Sequence, residues 1–207
     1  MVGILQIEPV NRVRPTWTHF AAARSARDRF TSASAWPRLG QTVVVEVEVI
    51  IEIPRGSRNK YEMDHDSGAI WLDRMLFTAT QYPADYGFVP HTLAEDGDPL
   101  DILVILDEPT FPGCHIRVRP VGVFWMTDEA GPDAKVLCVP ARDPRSSGVK
   151  DLGDLPQFLL AEIEHFFAVY KDVEPGKSVE TAGWEGADAA ARAVTEARER
   201  YAAEKAT

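Results

Sequence analysis

Asp96, Asp98 and Asp101 lie in one short run of the chain, with the sequence DGDPLD. Carboxylates this close repel one another, so a fold that gathers them needs a compensating positive charge. Mg²⁺, which takes oxygen ligands at octahedral positions, is a usual source of that charge. Gly97 and Pro99 favour a defined backbone geometry between the acids, but Asp, Gly and Pro are also common in solvated turns. The run by itself leaves a metal site and an acidic turn as open interpretations.

Four further acids occupy positions from which separate segments could reach one cavity. Asp128 and Asp133 flank a predicted turn between two strands, and Glu52 and Glu62 bracket the first hairpin-like connection. A site for two metal ions needs several carboxylates from different segments, and turns at strand ends can supply them. Each acid taken singly is also explained as a solvated turn residue.

Basic and phenolic side chains are interleaved with these acids. Lysine, arginine and tyrosine are the side chains expected to hold phosphate oxygens. The candidates are Lys60, Arg74, Tyr86, Tyr170 and Lys171. The alternative is ordinary, because exposed lysines and arginines are solvated and tyrosine is often half-buried. Lys171 would also be favoured by the helix dipole, since it closes a predicted helix.

The length of 207 residues predicts one domain, or one domain with a tail. The net charge of -10 argues against nonspecific nucleic-acid binding, and it would repel an anionic substrate unless bound metal reverses the local field. No apolar run approaches the length needed to cross a bilayer. Cys114 and Cys138 fit no metal-binding spacing and are predicted to be small buried side chains, which favours a reducing, cytoplasmic location.

Residues 1–40 differ in composition from the rest of the chain. They hold six arginines and two acids, a net charge of +4, and show no sustained hydrophobic period. Three interpretations stay open: a transit-peptide-like segment, an upstream start ahead of a true start near Val43, and a disordered arm. We therefore predict a disordered or mis-assigned extension over residues 1–42, followed by an ordered domain over residues 43–207.

Hydrophobic periods predict a sheet followed by helices. Residues 43–53 carry Val or Ile at every odd position, which is typical of a half-buried strand, and Pro54 ends it. Further short strands are predicted at residues 69–72, 102–106, 115–125 and 135–139. Their spacing suggests a closed or nearly closed sheet. Two helices should follow, one capped by Asp154 and ended near Pro175, and one over residues 186–204.

Taken together and in order, these segments resemble the soluble family I inorganic pyrophosphatases, especially the bacterial form. The resemblance runs from about Val43 to the end of the second predicted helix. The matching segments are residues 51–54, 59–62, 72–74, 82–87, 96–101, 119–122, 128–131, 133–135, 165–167 and 170–171. The resemblance implies an α+β, mainly β fold: a five-stranded OB-like closed barrel with two flanking C-terminal helices. It also implies a homohexamer and Mg²⁺-dependent hydrolysis of inorganic pyrophosphate to two orthophosphates.

The resemblance assigns metal-binding roles to single residues. It implies that Asp96, Asp101 and Asp133 hold a tightly bound metal pair. Asp128 resembles a ligand, shared with Asp133, of a metal that arrives with substrate, and Glu52 resembles a carboxylate acting through water held by metal. Every implied ligand is oxygen, which fits Mg²⁺ better than Zn²⁺, and Mn²⁺ could replace it.

The remaining roles concern the attacking water and the phosphates. Asp98 resembles the base that acts on the water, with Asp133 as the other candidate. The implied phosphate binders are Lys60, Arg74, Tyr86, Tyr170 and Lys171, and positions of less defined role are Glu62, Tyr82 and Lys135. Two other functions remain as alternatives: a non-catalytic OB-fold binding protein, which would need a basic groove, and a phosphohydrolase of broader specificity.

Overall fold

The computed structural model describes residues 45–206 of the chain. Their strands and helices are, in order, β1 (Val47–Ile53), β2 (Asn59–Met63), β3 (Ile70–Met75), β4 (Asp85–Phe88), β5 (Asp101–Val104), β6 (His115–Asp128), β7 (Gly131–Pro140), α1 (Gln157–Val169), β8 (Val179–Gly186) and α2 (Ala187–Lys205). Short 3-10 turns at Pro144–Ser146 and Leu152–Asp154 precede α1. The predicted extension over residues 1–42 lies outside the described residues and stays a prediction.

Five of these strands close into a ring. They pair in the order β1-β4-β5-β7-β6, and a further pairing of β1 with β6 closes the circle. The pairing of β5 with β7 is parallel, and the other pairs of the ring are antiparallel. β8 pairs with β6 outside the ring. The predicted five-stranded closed barrel with two flanking helices is therefore confirmed.

β1 and β4 approach each other closely at a glycine. Gly87 of β4 pairs with Ile51 of β1, and a Cβ atom at position 87 would lie 1.9 Å from the carbonyl oxygen of Ile50. No side chain fits at that distance, so this pairing requires glycine. The same short strand carries Tyr86, whose position in the site therefore depends on a backbone contact that no larger residue permits.

The barrel side chains divide between two apolar clusters, one associated with each helix. Val123 belongs to the buried cluster that contains Val194 of α2, whereas its neighbour Phe124 belongs to the cluster that contains Phe167 of α1. Successive strand residues point to opposite faces, so a single strand serves both clusters. Each large apolar side chain buried in this way contributes about 1.5–3 kcal/mol to stability. The two clusters fix the strands whose ends build the site.

The predicted boundaries of the first helix are wrong at both ends. Asp154, the predicted N-cap, instead accepts the backbone N–H of Asp151 at 3.1 Å and closes a capping box around the preceding 3-10 turn. α1 begins three residues later and ends before Tyr170, so Tyr170 and Lys171 lie in the turn beyond it. The second predicted helix agrees with α2 to within one residue at each end. Within residues 45–206, no helix is long and apolar enough to cross a membrane.

Candidate active site

One side of the candidate site is built by the barrel strands β4, β5 and β7. Parallel pairing sets Asp101, at the start of β5, opposite Lys135 of β7. Lys135 Nζ contacts Oδ2 of Asp101 and lies 2.6 Å from Oδ1 of Asp133. The same ammonium group donates to the hydroxyl of Tyr86 at 3.1 Å. We call these four residues the barrel wall.

Burial and like charge perturb the acids in and around the barrel wall. Burial raises the pKa of Asp133 to about 6, and Lys135 opposes this rise while Asp101 adds to it. Burial alone would lower the pKa of Lys135, but Asp101 and Asp133 outweigh it, so that pKa is raised and the ammonium stays charged. Burial also raises the pKa of Glu52 to about 7 and that of Asp96 above its usual value, and Asp101 adds to both. Burial is therefore the main cause of the raised pKa of these acids, and like charge from Asp101 adds to it.

The other side of the site is a separate two-stranded sheet formed by β2 and β3. Lys60 of β2 is paired in register with Arg74 of β3. Lys60 Nζ contacts Glu62 and lies 3.6 Å from Asp73, and Arg74 Nη1 contacts Asp73. We call these four residues the hairpin rim. The sequence predicts part of β3 but not the pairing that brings the two basic side chains together.

A cavity of about 270 Å³ is lined by residues of both sides. Tyr86 and Asp101 line it from the barrel wall, and Lys60 and Glu62 line it from the hairpin rim. Asp98, from the connection between β4 and β5, also lines it. Residues predicted from three separate segments therefore reach the same space, which combines acidic, basic and phenolic groups.

Glu52 and Asp96 hold the backbone around the cavity. Glu52 of β1 lines the cavity, and its Oε1 accepts the backbone N–H of Met63 at 2.7 Å, which ties the hairpin to the barrel. Asp96 Oδ1 accepts the backbone N–H of Asp98 at 3.1 Å, which orders the acidic turn. Among the described residues, the cavity lining does not include Asp96 or Asp133, nor Arg74, Asp128, Tyr170 or Lys171.

The turn after α1 carries a third group of the predicted residues. Lys171 Nζ lies 2.7 Å from Oδ2 of Asp128 and 3.4 Å from Oε1 of Glu129. Burial alone would raise the pKa of Asp128, but the hydrogen bond from Lys171 holds it below its usual value. Burial raises the pKa of Tyr170, with Lys135 and Lys171 opposing the rise. Tyr170 therefore lies close enough to Lys135 of the barrel wall and to Lys171 for the charges of both to affect its pKa.

The candidate ligands are all carboxylate oxygens, a type of donor that suits a hard divalent cation. Within residues 45–206, no three carboxylate, histidine or cysteine side chains are placed to hold a metal ion as they stand. Burial raises the pKa of both Asp96 and Asp133 and the charge of Asp101 adds to each rise, so additional positive charge among these acids would be favourable. The ammonium of Lys135 already supplies one positive charge between Asp101 and Asp133. Oxygen donors of this type fit Mg²⁺ and Mn²⁺.

Asp73 and Glu174 are among the side chains at the site to which the sequence assigns no role. Asp73 contacts both basic residues of the hairpin rim, and Glu174 pairs with Arg74 at 3.0 Å. Asp73 is adjacent to Arg74 in sequence, which is a signal that could have found it. Glu174 follows Lys171 by three residues, but the distance of 100 residues from Arg74 gives no sequence signal for the pair.

A closed barrel whose cavity combines carboxylates with lysine and tyrosine side chains suits a protein that acts on a small phosphate-containing anion. A family model described as inorganic pyrophosphatase matches residues 49–202. The chain therefore belongs to the inorganic pyrophosphatase family, and the predicted family and enzyme class are confirmed.

Individual relatives agree with that family. An inorganic pyrophosphatase of Streptomyces coelicolor is 66% identical over 142 residues, which cover 69% of this chain and 87% of the relative. One of Corynebacterium efficiens is 54% identical and is matched over its whole length, with 77% of this chain covered. The crystal structure of the inorganic pyrophosphatase from Thermus thermophilus is 49% identical, with a TM-score of 0.74 over 80% of this chain and 96% of that chain.

Proposed function

We propose that this chain hydrolyses inorganic pyrophosphate to two orthophosphates with Mg²⁺ as the metal. Membership of the family supports the reaction and implies a divalent metal. The observation that carries the proposal at the level of residues is the shared cavity, which is lined by Asp98, Asp101 and Lys60. Carboxylates can hold cations and the lysine can hold a phosphate oxygen, so one cavity offers both halves of a phosphoanhydride site.

The proposed metal ligands are the acids of the barrel and its turns. Asp96, Asp101 and Asp133 would hold a tightly bound metal pair. Asp128 would share with Asp133 a metal that enters with substrate, and Glu52 would act through water held by metal. Bound Mg²⁺ supplies charge neutralisation and a more acidic water at the site, and Mn²⁺ is the expected substitute. Lys135 contacts Oδ2 of Asp101 and Oδ1 of Asp133, so the second oxygen of each carboxylate could bind a metal while these contacts persist.

The proposed substrate contacts come from groups that are now paired with carboxylates or buried. Lys60 and Arg74 pair with acids of the hairpin rim, and Lys171 pairs with Asp128. A phosphate oxygen can replace a carboxylate oxygen on these cations without loss of the charge-assisted hydrogen bond. Tyr86 and Tyr170 are buried, and their hydroxyl groups can donate to phosphate oxygens without adding negative charge. The hydroxyl of Tyr86 now donates to Oδ2 of Asp101, so it would have to exchange this partner for substrate.

Asp98 is the proposed base on the attacking water. Its side chain is exposed to the cavity, whereas the carboxylate of Asp133 is buried and paired with Lys135 at 2.6 Å. A base must reach the water that it deprotonates, and Asp98 meets that condition without breaking a buried ion pair. Asp133 remains the second candidate for this role.

The test is phosphate release from pyrophosphate with and without Mg²⁺, by the wild-type protein and by the variant Asp98→Asn. We expect release to require the metal and kcat of the variant to fall about 10²–10⁴-fold, because a positioned base contributes that much. Asp66→Asn, in an exposed turn of the hairpin, is the matched control. Full Mg²⁺-dependent turnover by Asp98→Asn would remove Asp98 as the base. Equal release from ATP would favour the broader phosphohydrolase instead.

We also propose that the chain forms homohexamers and acts in the cytoplasm. Large apolar side chains that are exposed in the single chain, among them Phe158 of α1 and Trp71 of β3, support an assembled state. Free thiols at Cys114 and Cys138 support a reducing compartment. Analytical ultracentrifugation measures the assembly, and a monomer at micromolar concentration would contradict the hexamer.

A further inference from the structure

Glu174 is a buried acid that none of the roles above employs. Its carboxylate accepts from Arg74 through two different nitrogens, from Nε at 3.2 Å and from Nη2 at 3.0 Å and 3.1 Å. Its side chain is 7% exposed, and that of Arg74 is 24% exposed. This is the paired geometry in which the planar guanidinium matches a carboxylate, so it fixes the orientation of Arg74 as well as its position.

The pair joins two parts of the site that are far apart in the chain. Arg74 belongs to β3, in the small sheet that lies outside the barrel. Glu174 lies in the turn after α1, where its backbone N–H donates to the carbonyl oxygen of Lys171 at 2.8 Å. Glu174 therefore contacts two proposed phosphate binders: its backbone bonds to Lys171, and its side chain bonds to Arg74.

The two acids that hold Arg74 differ in how readily they can be replaced. Glu174 occupies Nε and Nη2, and the remaining nitrogen, Nη1, contacts Asp73. Asp73 has a side chain that is 31% exposed, so water can solvate it after it leaves the guanidinium. Release of Glu174 would instead leave a buried carboxylate without its partner, which is costly.

We infer that Glu174 is a positioning residue for substrate binding, which holds Arg74 by Nε and Nη2 so that Nη1 is presented to a phosphate oxygen of pyrophosphate. This inference rests on the proposed function. In the substrate complex, the phosphate oxygen takes the place of Asp73 on Nη1, while the pair between Glu174 and Arg74 stays formed. Glu174 contacts no substrate atom and acts through Arg74.

The sharpest test is a double-mutant cycle of Glu174→Gln with Arg74→Ala, measured as KM and kcat for pyrophosphate with Mg²⁺. Glutamine keeps the shape of the side chain but presents an amide NH₂ to the guanidinium, so Arg74 loses its fixed orientation. We expect KM to rise about tenfold with kcat changed less than about threefold, as for a lost uniform binding contact. In the Arg74→Ala background, Glu174→Gln should change KM less than about twofold, because coupled residues are not additive.

Two further measurements separate positioning from loss of structure. Calorimetric titration with inorganic phosphate should show about tenfold weaker binding to Glu174→Gln, and thermal unfolding shows whether each variant is folded. Glu174→Asp is the second variant, and its shorter carboxylate should recover part of the KM. The matched control is Glu185→Gln, whose carboxylate pairs with Arg192 at 3.9 Å and is mostly exposed. It should leave KM unchanged.

The outcomes also separate this inference from the function on which it rests. A wild-type protein that releases no phosphate from pyrophosphate refutes the proposed function. An active wild type in which Arg74→Ala raises KM but Glu174→Gln does not refutes the inference alone. An equal effect of Glu174→Gln in both backgrounds also overturns it, because Glu174 would then act by a path that does not include Arg74.

Discussion

The barrel wall and the hairpin rim both pair basic side chains with carboxylates, but they do so in different surroundings. Lys135 of the barrel wall is 3% exposed and contacts two acids and a tyrosine hydroxyl. Lys60 of the hairpin rim is 22% exposed, and its partner Glu62 is mostly exposed. Ion pairs in the first setting are strong and costly to break, whereas those in the second are weak and screened by salt.

This difference assigns different tasks to the two sides of the cavity. The charged groups around Lys135 are held by several buried contacts, so they keep their geometry without substrate, as metal ligands must. Weakly paired cations at an exposed edge can exchange one anionic partner for another at little cost, as phosphate binders must. The barrel wall is suited to holding cations and the hairpin rim to accepting and releasing anions.

Lys135→Met should give the largest effect of this comparison. The change removes the one cation that contacts both Asp101 and Asp133 among the described residues, and it leaves buried acids near each other. We expect the free energy of unfolding to fall by about 3–5 kcal/mol, as for a buried pair that loses one partner. The measurement is urea unfolding followed by circular dichroism, with chelator present so that no divalent cation replaces the ammonium. Lys60→Met, its hairpin counterpart, should lose less than about 1 kcal/mol.

Two glycines allow the backbone of the barrel to be compared with that of the hairpin. Gly87→Ala in the barrel puts a Cβ atom 1.9 Å from a carbonyl oxygen, so β1 and β4 must separate. We expect a loss of roughly 3 kcal/mol or more in the free energy of unfolding. Gly68→Ala in the turn of the hairpin meets no atom within 4 Å, and its φ of +70° gives a cost of only about 1 kcal/mol. Equal losses in urea unfolding would show that the barrel is no more rigid than the hairpin.

Mg²⁺ should stabilise the protein through the barrel wall and not through the hairpin rim. At about 100 times the dissociation constant, a ligand of the folded state adds about 2.7 kcal/mol, which raises Tm by roughly 5–10 °C for a domain of this size. We expect Asp101→Asn to lose most of this shift and Glu62→Gln to keep it. Thermal unfolding with and without Mg²⁺ measures both variants. If Glu62→Gln abolished the shift in Tm and Asp101→Asn kept it, Mg²⁺ would bind at the hairpin rim and not at the barrel wall.

The sequence predicts the first strand from its period-2 alternation, and the spacing of the other predicted strands suggests a closed sheet, whereas the five-stranded barrel comes from the resemblance. It also predicts the acids and basic residues of the cavity, but these come from the resemblance and the turns, and they remain proposals. The pairing of Lys135 with Asp101 follows from the parallel register of β5 and β7, which no spacing along the chain encodes. The pair of Arg74 with Glu174 likewise spans 100 residues and depends on how the hairpin packs against the turn after α1.

The ends of α1 show why local signals can mislead. Aspartate before proline and a glutamine is a typical helix start, and Asp154 fits it. A second aspartate three residues earlier, Asp151, competes for the same role, and together the two carboxylates cap the 3-10 turn instead. The far end of the helix stops before Tyr170, and the turn that follows bears the contacts of Lys171 and Glu174. The choice between such alternatives is made by tertiary contacts.

Lys60→Met is expected to give the smallest change in energy and the most specific change in function. The side chain lines the cavity and is paired with exposed acids, so its loss costs little stability but removes one charged hydrogen bond to substrate. We expect kcat/KM for pyrophosphate to fall about tenfold, chiefly through KM, with the free energy of unfolding changed by less than about 1 kcal/mol. Steady-state phosphate release measures the first quantity, and Lys150→Met, at an exposed position before α1, is the matched control. An unchanged KM would mean that pyrophosphate does not bind at the hairpin rim, because an exchangeable cation in the binding cavity must contribute to substrate affinity.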